Sequence, residues 1–121
     1  MKNFNKLKEV LQTKQSFVIT THVNPDADAI GSELALTAIL RKFGKNINVI
    51  NYSETPYFLE FLDSNKTIEV YKPADHDDII KTAEVIIVAD MNDLRRTVKM
   101  ETVLRESNAY KICIDHHQDL V

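Results

Sequence analysis

Apolar residues follow two rhythms along this chain. The near-continuous β-branched runs Ser16-Phe17-Val18-Ile19-Thr20-Thr21 and Glu84-Val85-Ile86-Ile87-Val88-Ala89-Asp90 predict short strands buried on both faces. Around them, Phe4, Leu7, Val10 and Leu11 recur at helical spacing and predict an amphipathic helix over residues 3–13. A second helix is expected over residues 29–43, rich in alanine and leucine and closed by Gly44. Residues 46–51 alternate and read as a strand, and Pro56 opens a short helix through residue 62 whose aromatic side chains are expected to pack in a core or interface. Residues 67–71 form a third candidate strand, a short helix runs on to Ala83, a further helix lies within 94–107, and residues 109–115 make the last strand. Strands thus alternate with helices. That order predicts an α/β fold: a mostly parallel, Rossmann-like sheet of about five strands with helices on both faces.

Composition narrows the function classes. At 121 residues the chain is one domain at most. A net charge of −3 argues against a broad face for long duplex nucleic acid, which is usually basic. It leaves room for a small phosphorylated substrate held by metal ions and a few local cations. No apolar run approaches the roughly 20 residues that span a bilayer, and the start, Met1-Lys2-Asn3-Phe4-Asn5-Lys6, lacks the apolar core of a signal peptide. A cytoplasmic location is therefore the default expectation. The single cysteine, Cys113, sits in an apolar run and is expected to be a buried, inert thiol.

Chemistry concentrates where strands are expected to end. Right-handed crossovers place every carboxyl end of a parallel sheet on one rim, which is where open α/β sheets bind ligands. His22, Asp90 and the triplet Asp115-His116-His117 all fall at such ends. The first of these ends runs on as His22-Val23-Asn24-Pro25-Asp26-Ala27-Asp28-Ala29-Ile30-Gly31-Ser32. Pro25 is expected to keep Asn24 extended, with the turn at Asp26 and Asp28 and Asp28 capping the next helix. Imidazole and carboxylates together suit manganese, zinc, iron or magnesium. Asp26, Asp28, Asp90 and Asp115 would repel one another on one rim; two divalent ions would neutralise them, acidify a bridging water and clamp a phosphoryl group. The helix start adds N–H donors for an anion. Arg95 and Arg96 are candidates for phosphate, with an exposed helix arginine as the equal alternative. Asp75-His76-Asp77-Asp78 looks like a metal cluster but reads better as the acidic first turn of a helix.

The ordered set His22-x-Asn24-Pro25-Asp26-x-Asp28-x-x-Gly31-Ser32, then Asp90, then Asp115-His116-His117 resembles the DHH phosphoesterase superfamily. The nearest likeness is its NrnA-like branch of bifunctional oligoribonucleases and 3′-phosphoadenosine 5′-phosphate phosphatases, relatives of the RecJ exonuclease. The resemblance implies two manganese (Mn2+) ions, with magnesium or cobalt also fitting such ligands. It assigns His22 and Asp26 to one ion, Asp28 and His116 to the other, and Asp90 between them as a catalytic ligand. Asp115 would support the adjacent histidine, and His117 would meet the substrate phosphate or leaving oxygen. Asn24, Ser32 and Arg96 would contribute to substrate binding. The implied substrates are short single-stranded oligonucleotides or phosphorylated nucleotides.

Members of that family carry a further aspartate ligand and a separate C-terminal substrate-binding domain, whereas this chain stops four residues after His117. Residues 1–121 are thus expected to form a partial DHH catalytic domain whose isolated activity is open. Two other readings stay alongside: a manganese-dependent, pyrophosphatase-like hydrolase, and a non-catalytic fragment that self-associates as a homodimer through uncovered surface.

Overall fold

The computed structural model describes residues 2–91 and 93–114, without the side chains at 2–4 and 7. Helix α1 (Lys2–Thr13) leads into strand β1 (Ser16–Thr21), helix α2 (Ala27–Lys42) and strand β2 (Asn46–Asn51). A 3-10 segment at Tyr57–Asp63 precedes β3 (Ile68–Val70), α3 (Pro73–Thr82) and β4 (Val85–Ala89). A second 3-10 segment, Leu94–Met100, runs into α4 (Glu101–Glu106) and then β5 (Tyr110–Ile114). The five strands form one sheet in the order β3-β2-β1-β4-β5, and every pairing is parallel.

The period-two geometry of a strand sends neighbouring side chains to opposite faces, and the cores obey it. Phe17, Ile19, Val49, Val85 and Ile87 pack on one face with Val10 of α1 and Leu40 of α2. Val18, Ile50, Ile86 and Val88 pack on the other with Ile80 of α3 and with Met100, Val103 and Leu104. Both faces are covered, so β1 and β4 read as near-continuous apolar and β-branched runs.

Crossovers run both ways from β1. The chain first steps outward through β2 and β3, then returns across the opposite face through α3 to place β4 on the other side of β1. The direction of winding therefore reverses between β1 and β4, the position at which doubly wound sheets open a crevice.

Several expectations shift. Helix α2 begins at Ala27 rather than 29, and its cap is Asp26 rather than Asp28. Asn24 is not extended: its φ of 53° is left-handed. Its neighbours are pinned from outside, Val23 N–H to the Arg96 carbonyl at 2.8 Å and Asn24 N–H to Ser53 Oγ at 3.0 Å. Asparagine tolerates that backbone region better than most residues, so tertiary bonds override the preference that Pro25 imposes. Cys113 is exposed rather than buried, because β5 is the outer strand of the sheet. The helix end holds as expected: Gly44, at φ 73°, donates to Arg41, and Lys45 N–H reaches back to the Leu40 carbonyl, the paired bonds of a Schellman stop.

Candidate metal centre at the sheet rim

Register places the first two site residues side by side. Thr21 pairs with Ala89 at the ends of β1 and β4, so His22 and Asp90 are each the first residue beyond the sheet. The buried Thr21 hydroxyl donates to the Ala89 carbonyl at 2.6 Å and fastens the two ends together. Asp90 turns away from the strand at φ 60°, a conformation that aspartate accepts more readily than bulkier residues. Its N–H still donates to the Ile114 carbonyl of β5 at 2.6 Å.

The imidazole is oriented by its own neighbour. His22 Nδ1 lies 2.8 Å from the Val23 carbonyl. A carbonyl only accepts, so Nδ1 must carry the proton. Nε2 is left facing Asp90 Oδ2 at 3.4 Å, and both side chains are almost wholly buried. A lone pair facing a carboxylate at this distance is an arrangement that a metal ion held by both would suit.

Asp26 completes the group. Its carboxylate and the donor atoms of His22 and Asp90 lie within 4.8 Å of one another. As N-cap of α2 it accepts the Ala29 N–H at 2.9 Å. One imidazole and two carboxylates, two of the three residues buried, are a donor set that fits a borderline or hard divalent cation. The residues present therefore fit a metal ion.

The other predicted site residues are placed unequally. Asp28 is exposed on the first turn of α2 and stands outside the triplet. Ser32 is half-buried one turn further on, and Asn24 is exposed in the loop after β1. A Cβ built on Gly31 meets no atom within 4 Å, so that first turn faces open space. Arg96 is exposed, and its carbonyl holds the His22–Asp28 loop through Val23. Arg95 is turned elsewhere: its guanidinium grips Asp93 at 2.6 Å, which pushes that carboxyl down to about 2. The two arginines, equivalent in sequence, differ in structure. Asp115, His116 and His117 lie outside the described residues.

The 75–78 segment is structural, as its reading as a helix start implied. His76 is buried at the beginning of α3; its Nδ1 accepts the Lys72 N–H at 2.9 Å and its Nε2 meets Glu69 at 2.7 Å. Sequence reasoning missed Thr21 and Ser53, which tie the rim together across 68 and 29 residues. No local pattern marks a threonine or serine for such a long-range role.

Comparison with known proteins agrees with the geometry. Residues 16–120 match the model of the DHH family, N-terminal domain. The chain is 32% identical over 110 residues to the bifunctional oligoribonuclease and PAP phosphatase NrnA of Thermus thermophilus, covering 90% of this chain and 30% of that protein. The solved structure of an exopolyphosphatase-related protein from Bacteroides fragilis superposes with a TM-score of 0.91 at 35% identity, over 96% of this chain and 35% of that one. The chain thus spans about a third of each relative's length.

Proposed function

The chain belongs to the DHH family, and from that premise we propose that it supplies the metal-holding half of a phosphoesterase acting on short single-stranded oligonucleotides or phosphorylated nucleotides. The observation that carries this reading is the convergence of His22, Asp26 and Asp90 at the switch point of the sheet. The T. thermophilus relative's name supports the substrate class.

His22, Asp26 and Asp90 hold a first divalent ion, manganese by preference. Asp28 and His116 hold a second, with Asp90 shared and Asp115 steadying the adjacent imidazole. Bound ions of this kind acidify water and neutralise charge on a phosphoryl group. The protein's own work is placement. His22 is fixed in one tautomer by the Val23 carbonyl, and Asp90 is fixed by the register of β1 and β4. Asn24, Ser32 and Arg96 contribute to binding the substrate. His117, next in sequence after the ligand His116, meets the scissile phosphate or the leaving oxygen.

The test compares Asp90→Asn with the wild type. Asparagine keeps the left-handed turn but removes the charge, so calorimetric titration should show manganese affinity reduced on the order of 10- to 100-fold in a folded protein. Hydrolysis of a dinucleotide by the longer protein that contains this chain should be abolished. An Asp90→Asn protein that binds manganese and turns over like the wild type would sink the reading.

A phosphoanhydride substrate is the second reading, favoured by the likeness to the exopolyphosphatase-related protein of B. fragilis. Rates on pyrophosphate and on a dinucleotide, measured side by side, separate the two.

A second copy of this chain is the proposed partner. The 3-10 segment at Tyr57–Asp63 packs beside α2 and exposes Tyr57 at 84%, Phe58 at 64% and Phe61 at 74%. Roughly 440 Å² of aromatic surface is open there, taking about 200 Å² for each whole side chain. This is about half of the roughly 800 Å² that each partner contributes to a stable interface, enough to form its apolar centre.

A further inference from the structure

Glu33 is the most unusual residue outside the metal centre. It sits in the second turn of α2, fully buried, and no reaction step described above uses it. Its Oε1 accepts from Asn51 Nδ2 at 2.8 Å. Its Oε2 has no hydrogen-bond partner, and neither has Oδ1 of the same Asn51, although both atoms are buried. Two acceptors left over on a single bonded pair point to a missing hydrogen. A carboxylic acid and a primary amide each offer one donor beside one acceptor, and together they close a ring of two bonds. A carboxylate and an amide cannot.

We propose that Glu33 is a positioning residue that stays neutral: its Oε2–H donates to Asn51 Oδ1, and the resulting double bond clamps the first turns of α2, with Asp26 at their head, onto the end of β2. The proton comes from solvent when the chain folds and returns to it on unfolding, so nothing else is consumed. The surroundings agree. β1, β2 and β4 present Phe17, Ile19, Val49 and Ile87 on the face that α2 covers. The charged group that acts on Glu33 is Asp63, at the end of the 3-10 segment packed on α2. Its carboxylate is held there by the N–H groups of Thr67 and Ile68, and like charge opposes ionisation of Glu33. Burial, the larger cause, pushes the Glu33 carboxyl up from 4.5 to about 8.

The sign of the pH effect follows. The folded protein holds this proton more tightly than the unfolded one, so the clamp is at full strength below pH 4.5 and is lost as pH rises through about 8. The role in placing Asp26 rests on the metal reading given above; the pairing of Glu33 with Asn51 does not.

Both parts are tested on the chain itself. Thermal unfolding is followed from below pH 4.5 to above pH 8 for the wild type, Glu33→Gln and Glu33→Ala, and manganese binding is titrated at neutral pH. The wild-type midpoint should fall by about 10 °C as pH rises from 4.5 to about 8. Glu33→Gln supplies the second donor without a titrating proton, so the fall between pH 4.5 and about 8 should disappear and its manganese affinity should equal the wild type's. Glu33→Ala should be less stable throughout, because it strands the buried Asn51 amide, and should bind manganese on the order of tenfold more weakly. A Glu33→Gln protein that keeps the wild-type pH slope, or is as unstable as Glu33→Ala, overturns the pairing. A folded Glu33→Ala protein with unchanged manganese affinity overturns the positioning role. A wild type that binds no manganese overturns the metal reading, while the unfolding curves still decide the pairing.

Discussion

Asp26 has two functions that substitution can separate. It caps α2 through Ala29 and contributes a carboxylate to the His22–Asp90 group. Asparagine caps a helix about as well as aspartate, so Asp26→Asn should leave the urea midpoint nearly unchanged and still weaken manganese binding. Asp26→Ala should lose both, with a stability cost of about 1 kcal/mol. If the two variants unfold alike, the cap contributes nothing. At this scale the sequence was informative about residue types and poor about roles. His22, Asp26 and Asp90 stood out because imidazole and carboxylate at strand ends are chemically conspicuous. The choice between Asp26 and Asp28 as cap depended on a left-handed Asn24, and the bonds responsible come from Arg96 and Ser53.

At the scale of elements, strand ends are tied to one another by side chains that read as ordinary surface residues. Glu84, just before β4, accepts the N–H groups of Gln15 and Ser16 at the start of β1, at 2.7 and 3.0 Å. Those two bonds, first Gln15 and then Ser16, hold its carboxyl below the usual 4.5. A group depressed in this way lends stability above its unfolded value and loses it as pH falls through the lowered one. Glu84→Gln should therefore flatten the acid limb of the pH–stability curve below pH 4.5 and leave the alkaline limb, where Glu33 acts, as it was. Thermal scans in acid would show whether it does. The helices and strands themselves were legible from apolar periodicity to within a residue or two. The turn segments were not: Tyr57–Asp63 and Leu94–Met100 are 3-10 rather than α. Neither has a regular apolar face long enough to favour the wider coil.

The whole molecule adds two surfaces of opposite character. One is the buried rim; the other is the exposed aromatic face beside α2. Self-association through that face predicts a concentration-dependent dimer in sedimentation velocity runs, and Phe61→Glu should return it to monomer without lowering the unfolding midpoint. Monomer behaviour by the wild type at all concentrations would refute the second copy as partner. Among the described residues no helix is long and apolar enough to cross a membrane.

Sequence by itself determined the elements, the parallel sheet with two covered faces, and the chemical kind of residue at each strand end. It did so because burial on both faces forces continuous apolar strands, and because any charged group at such an end stands out against them. Tertiary structure alone decided the strand order, hence the reversal between β1 and β4 that sets His22 against Asp90. It also decided which arginine is spent on Asp93, and that a glutamate inside α2 is sealed against Asn51. Those outcomes depend on contacts between residues far apart along the chain. Local propensity carries no information about such pairs until the sheet has brought them within bonding distance.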